Sequence, residues 1–281
     1  PVKMVFQSFA KINLSLTVNK KLDTGLHDIQ SIYCLIDLSD SISVKKTKGK
    51  RKDVVSIKGK NSMNINKKNN SITRTLSIMR KYNLIHDYYS VKIVKKIPVF
   101  GGLGGGSSNA AALLKFFKKK IPNKILEKII DSVGSDLRLF YKNQGYQKNI
   151  KKVVEIKKKH KLIFLLAHPG IKCSTKNVYS KVDRFSKKRP FSDISSRTKK
   201  EFIKYLINSK NELQSIVEKK HPFIRKLLTD INKLEGCYFS RMTGSGSVCY
   251  GLFNSVKCSK AALKKIRKKY ANCWFSIAKT I

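Results

Sequence analysis

Three groups of residues in this 281-residue chain have the types and spacing that phosphoryl chemistry needs. The first is a glycine loop, Gly101, Gly102, Gly104, Gly105 and Gly106, interrupted by Leu103 and followed by Ser107, Ser108 and Asn109. Glycine reaches positive φ without steric cost and has no Cβ, so this backbone can bend sharply and approach a ligand closely. The three polar residues are good helix caps, and the Ala/Leu run at 110–114 favours helix. A glycine loop running into a helix N-terminus presents unpaired N–H groups and the positive dipole end, a cradle for phosphate. The second group is Lys11 with Asn13, on one face of a strand because strand side chains repeat every two residues. The third is Asp136, an isolated carboxylate between Gly134 and an apolar run. A kinase acting on a hydroxyl needs a triphosphate cradle, a cation for the charge on the moving group, and a carboxylate to orient or deprotonate the alcohol.

Two better-known phosphate loops are excluded. A Walker loop needs Lys directly after its last glycine, and here Ser107 follows Gly106. The dinucleotide fingerprint needs a third Gly or Ala three places after the second, and counting from Gly102 and Gly104 that place holds Ser107.

The elements that hold these groups alternate between strand and helix. Residues 5–18 read as one or two strands, 27–37 as a further strand, and 41–58 as a hairpin with a Lys/Gly-rich tip. Ile72, Leu76 and Met79 give helical spacing over 70–82, and 89–96 is a strand ending at Pro98 before the glycine loop. A helix at 121–133 is broken by Gly134. Residues 161–167 read as a buried strand, and 174–182 and 198–234 as helices. Strand, glycine loop and strand follow over 237–253, then a basic helix at 259–270 and a last strand at 273–278. The fold class is α+β in two halves, with the joint in the polar, basic stretch near residue 150, giving domains 1–150 and 151–281.

A hydrophobic content of 41% supports a real core. No apolar run approaches the roughly 20 residues of a membrane span, and the first ten residues lack a signal layout, so a soluble, cytoplasmic chain is expected. The six cysteines and five histidines are scattered, with no C-x-x-C pair, so no protein-held metal site and no disulfide framework is expected. The net charge is +44, yet 51 of the 61 basic residues are Lys, and they spread from Lys3 to Lys279. Arg is the preferred residue for reading phosphate and guanine in two-pronged fashion. Drift in coding composition onto solvated faces therefore outweighs selected nucleic-acid binding, and no specific nucleic-acid or membrane partner is expected.

The combination resembles the GHMP kinase family. It is carried by residues 10–14 (Ala-Lys-Ile-Asn-Leu), Gly25-Leu26-His27, 97–111 with its triple glycine, Gly134-Ser135-Asp136, and 241–246 (Arg-Met-Thr-Gly-Ser-Gly), in the family order and across nearly the whole chain. The triple glycine is most similar to the branch that phosphorylates the C2 hydroxyl of a cytidine diphosphate-linked methylerythritol in non-mevalonate isoprenoid synthesis. The resemblance implies a ribosomal-protein-S5-like N-terminal half, a ferredoxin-like C-terminal half, and ATP with Mg²⁺ as cofactors. It implies that Asp136 takes the substrate proton, and that Lys11 keeps that carboxylate ionised and stabilises the moving phosphoryl group. Asn13 would hold the polyol, and His27 and Tyr179 the cytosine, with Thr175 in the same segment. Gly244, Ser245 and Gly246 would line the substrate side. Pro98, Gly101, Gly102, Leu103, Gly104, Gly105, Gly106, Ser107 and Ser108 would wrap the ATP phosphates, and Lys95 would lie near the adenine. A monomer or weak homodimer is expected.

The chain departs from the family in places. Leu26 replaces the usual Tyr, Phe100 replaces a small residue, and Leu137-Arg138-Leu139-Phe140 replaces Val-Pro-Phe-Phe. A GHMP kinase for another alcohol, such as homoserine or a mevalonate derivative, is disfavoured by the triple glycine and His27. A basic nucleic-acid-binding protein on a decayed kinase scaffold is the alternative of a different class.

Overall fold

A single strand of 20 residues, β3 (His27–Lys46), occupies the stretch where the sequence suggested a strand and the start of a hairpin. It belongs to a computed structural model that describes residues 3–49, 51–63, 65–117, 121–189, 194 and 197–281. The chain packs as two compact units: residues 1–10, 38–99 and 104–141 form one, and residues 11–37, 100–103 and 142–281 form the other. The chain passes from one to the other within β1 (Met4–Asn13) and within β3, so neither unit is continuous in sequence.

In the first unit, β5 (Tyr89–Val94) lies between β3 and β4 (Val54–Lys58), antiparallel to the former (Ser41↔Val94) and parallel to the latter (Val54↔Ser90). The 41–58 hairpin is thereby corrected. Its two arms do not pair with each other, because the Val91 and Ile93 face of β5 supplies the apolar alternation that both need. Helix α1 (Ser71–Lys81) buries Ile72, Leu76 and Met79, the residues whose spacing indicated it, and Asn70 caps it in a capping box with Thr73. Helix α2 (Gly105–Phe116) begins inside the glycines, with Gly104 as N-cap in the left-handed region at φ 69°. Helix α3 (Asn123–Val133) ends at Gly134, and a 3-10 turn, Ser135–Tyr141, follows.

In the second unit β2 (Thr17–Lys21), β6 (Gln144–Gln147) and β7 (Val153–Glu155) extend the pairing of the first half of β3. A separate antiparallel sheet has the order β11-β8-β10-β9, built from β8 (Ile163–His168), β9 (Cys237–Met242), β10 (Cys249–Phe253) and β11 (Trp274–Lys279). Helices α7 (Pro222–Asn232) and α8 (Val256–Lys269) bury Ile224, Leu228, Ile231, Ala262 and Ile266 in a core shared with Leu165 and Ala167 of that sheet. The helix expected over 198–234 is three helices, α5 (Lys199–Ile207), α6 (Gln214–Lys220) and α7, preceded by the short α4 (Thr175–Tyr179). Asn211 makes the first break by donating to the carbonyls of Met242 and Gly244, both at 2.8 Å. Pro222 makes the second, since its ring fixes φ and removes a donor, which suits a first helical residue only. Among the described residues no helix is long and apolar enough to cross a membrane.

Candidate active site

The first unit holds the start of α2, where the phosphate cradle is expected. Gly105, Gly106 and Ser107 form the opening turn of α2, where N–H groups have no intrahelical partner, and Ser108 N is the first to bond back, to Gly104 O at 2.9 Å. A Cβ built on Gly106 would meet nothing nearer than Ser71 Oγ at 3.7 Å, an ordinary van der Waals contact, so this position has room for a methyl group. Gly105 is different: its Cβ would stand 3.1 Å from Lys95 Nζ and 3.2 Å from Ile97 Cγ2, so a side chain here would have to push those groups aside by a few tenths of an ångström. Ser107, Ser108 and Asn109 do not cap α2; they lie within it. Ser108 Oγ donates to Phe9 O at 2.5 Å and lies 2.7 Å from Ser8 Oγ.

Beneath that turn is a buried polar cluster. Lys95, 3% exposed, pairs through its ammonium with the carboxylate of Asp40 and donates to Asn109 Oδ1 at 3.2 Å. Asn109 Nδ2 donates to Asp40 Oδ2 at 3.0 Å and to Ser8 Oγ at 2.9 Å. The other Asp40 oxygen accepts the N–H groups of Lys96 and Ile97, at 2.8 and 2.9 Å. Asp40 carried no signal in the sequence, since 55 residues separate it from the lysine it neutralises. Pro98 is buried just before the loop. Asp136, half-buried, opens the 3-10 turn after Gly134. A Cβ on Gly134 would lie 3.4 Å from Ser107 Oγ, so the turn that presents Asp136 packs on the opening turn of α2.

The second unit holds Lys11 and Asn13, both buried. The Lys11 ammonium donates to Asn13 Oδ1, as the period of two requires for neighbours on one strand face. Asn13 is fixed on every side: its N–H donates to Thr243 Oγ1 at 2.9 Å, its Nδ2 to Ser31 Oγ at 2.8 Å, and its carbonyl accepts from the Tyr250 hydroxyl at 3.1 Å. Residues 100–103 are stitched to the second glycine loop. Ser247 N donates to Phe100 O and Val248 N to Gly101 O, each at 3.1 Å, while Lys11 N donates to Leu103 O at 3.0 Å. A Cβ on Gly102 would sit 2.2 Å from Thr243 O, and one on Gly244 would sit 3.1 Å from Gly102 O. The absence of a side chain at Gly102 therefore serves the meeting of two backbone loops. Thr175 Oγ1 and Ser245 Oγ are 2.9 Å apart, and Gly246 packs against Met242.

His27 begins β3 beside two aromatic rings, Tyr179 at 5.1 Å and Phe185 at 6.3 Å between centroids. Burial, and then the charge of Lys21, hold its pKa below the ordinary histidine value, which favours the neutral ring. Phe185 was missed in the sequence because it stands in a basic stretch without periodicity. Leu26 is 49% exposed beside this group.

Residues 70–137 match the family model described as GHMP kinases N terminal domain, and residues 197–272 the one described as GHMP kinases C terminal. Along 282 residues the chain is 38% identical to the 4-diphosphocytidyl-2-C-methyl-D-erythritol kinase of Pelagibacter ubique (strain HTCC1062), covering 98% of each. This chain belongs to the GHMP kinase family. A kinase of the same name from Wolbachia sp. subsp. Brugia malayi (strain TRS) is 33% identical, covering 97% of this chain and 96% of that one. Among solved structures, a 4-(cytidine 5'-diphospho)-2C-methyl-D-erythritol kinase shares the fold with a TM-score of 0.74 at 20% identity, over 98% of this chain and 99% of that one. The homoserine kinase from Cytophaga hutchinsonii ATCC 33406 shares it with a TM-score of 0.72 at 13% identity, over 99% and 94%. As a GHMP kinase the chain is an ATP-dependent enzyme acting on a small molecule, and the α+β expectation holds.

Proposed function

We propose that this GHMP kinase transfers the γ-phosphoryl group of ATP to the C2 hydroxyl of 4-diphosphocytidyl-2-C-methyl-D-erythritol, in non-mevalonate isoprenoid precursor synthesis. The observation that carries this reading is 38% identity, over 98% of both chains, to a relative of that name. His27 beside two aromatic rings supports it, because a neutral imidazole with aromatic neighbours suits a pyrimidine base.

In this reading the N–H groups of Gly105, Gly106 and Ser107 hold the phosphates of ATP. Gly101, Gly102, Leu103, Gly104 and Ser108 set the path of the loop, and Pro98 and Lys95 support it from below. Asp136 accepts the proton of the attacking hydroxyl, and Lys11 stabilises the charge that builds on the transferred group. Asn13 holds the polyol, Thr175, Gly244, Ser245 and Gly246 line the substrate side, and His27 with Tyr179 holds the cytosine. Mg²⁺ would accompany the nucleotide, held mainly by phosphate oxygens, and would offset their charge. We place the reaction in the cytoplasm, where the six free cysteines stay reduced.

The test is a coupled ADP-release assay with the cytidylylated methylerythritol, homoserine and mevalonate as acceptors. Turnover with the first alone is expected. Turnover with homoserine or mevalonate alone overturns the reading.

A further inference from the structure

Gln147 is fully buried at the end of β6, and neither atom of its carboxamide has a hydrogen-bond partner among the described residues. An unsatisfied buried polar group is costly, and this side chain carries a donor and an acceptor, both idle. In the antiparallel register Gln147 lies directly opposite Ser31 of β3, so the two side chains stand on the same face of the pair. Ser31 does not satisfy it, and with its single proton committed it has none for the Gln147 oxygen. Its hydroxyl already donates to Ser15 O at 2.6 Å and accepts from Asn13 Nδ2 at 2.8 Å. The next cross-strand pair on that face, Tyr33↔Gly145, is closed, because the Tyr33 hydroxyl lies 2.6 Å from where a Cβ of Gly145 would be. Gln147 therefore stands beside the row Lys11–Asn13–Ser31, with His27 on the same face of β3 four residues from Ser31, roughly 13 Å along a strand.

We infer that Gln147 is a specificity-determining residue for the polyol end of the substrate. This rests on the proposed function, in which His27 holds the base and Asn13 the polyol. A phosphate oxygen could only accept, and would answer the amide nitrogen alone. A hydroxyl both donates and accepts, and a polyol presents more than one, so adjacent hydroxyls satisfy the Gln147 nitrogen and oxygen together, directly or through one water.

The experiment uses Gln147→Met, which keeps an unbranched chain of similar length without polar atoms, and Gln147→Leu as a second apolar variant. Thermal unfolding is measured, together with calorimetric titrations of the cytidylylated methylerythritol, of cytidine diphosphate lacking the polyol, and of ATP. We expect the melting temperature to rise in at least one variant as the idle amide is removed. Affinity for the cytidylylated polyol should fall about tenfold or more in both. Affinities for cytidine diphosphate and ATP should not move. If wild type binds the cytidylylated polyol and the variants bind it equally well, Gln147 does not read the polyol and the inference is overturned, with the proposed function intact. Equal loss for cytidine diphosphate and the polyol conjugate also overturns it. If wild type binds and turns over none of these substrates, both the proposed function and the inference fall.

Discussion

The Lys95 ammonium and the Asp40 carboxylate form an ion pair shielded from solvent, directly beneath the first turn of α2. Removing one partner of such a pair leaves an uncompensated buried charge, a loss of about 3–5 kcal/mol, whereas removing both charges together is often close to neutral. Asp40→Ala should therefore lower unfolding stability by about that amount. The pair Asp40→Asn with Lys95→Met should regain most of it, since Asn keeps an acceptor for the N–H groups of Lys96 and Ile97. Chemical denaturation of the two variants beside wild type checks this, and an Asp40→Ala protein as stable as wild type would show that the pair holds nothing in place.

The loop glycines should separate into two kinds. Gly106 has room for a methyl group at the start of a helix, so Gly106→Ala should leave stability unchanged or raise it by up to about 1 kcal/mol. ATP binding by calorimetry should weaken all the same, because the added methyl stands where backbone is proposed to meet phosphate. Gly102→Ala should destabilise the protein, its Cβ being placed 2.2 Å from Thr243 O at a φ of +76°. Unchanged ATP affinity in Gly106→Ala would mean that the opening of α2 is not the cradle.

At the proposed base pocket, an aromatic residue in place of Leu26 would add a ring next to His27, which already neighbours Tyr179 and Phe185. Such a contact contributes roughly 0.5–1.5 kcal/mol beyond area burial. Leu26→Tyr should tighten binding of the cytidine-bearing substrate by a few-fold up to about tenfold, leaving ATP affinity alone. Phe185→Ala and Tyr179→Ala should weaken it. Substrate titrations on the variants decide the matter, and a Leu26→Tyr enzyme with unchanged or weaker affinity would show that this pocket is built around leucine.

Acid should destabilise the fold through two histidines. Burial is the leading cause that lowers the pKa of both His27 and His160, aided by Lys21 for the first and by Lys158 and Lys199 for the second. The unfolded chain then binds more protons than the native state as the pH falls through the ordinary histidine value of about 6.5. Their contribution is complete above that pH and is lost as the pH drops toward the lower folded values. His160 stacks on Phe202 at 4.5 Å, so His160→Phe should keep the ring contact and flatten the melting-temperature profile between about pH 7.5 and pH 5. A profile as steep as wild type would contradict this.

What could be read in the sequence was local. The glycine run and the alternation of Lys11 with Asn13 each announce themselves within a few residues, and so does the spacing of Ile72, Leu76 and Met79. What could not be read depends on distant partners. Asn13 is held by Thr243, 230 residues away, and no local pattern encodes that bond. Asp40 looked like one more polar residue in a strand, and only the fold sets it against Lys95. The start of α2 was misjudged for a related reason: Ser107, Ser108 and Asn109 have capping side chains, but Gly104 adopts the left-handed conformation first, and Ser108 and Asn109 are drawn into the buried cluster instead. The 198–234 stretch kept its apolar period while Asn211 and Pro222 divided it.

The most direct measurement of the central claim is ³¹P NMR of the product formed from ATP and the cytidylylated methylerythritol by wild type, Asp136→Asn and Lys11→Ala. The account predicts that wild type forms one new phosphomonoester on the C2 hydroxyl, with the cytidine diphosphate linkage intact and one ADP released per product. Each variant should make the same product about 10²–10⁴-fold more slowly, the usual worth of a positioned base or charge. A wild-type enzyme that leaves C2 unmodified, or variants that match its rate with the fold intact, would contradict it.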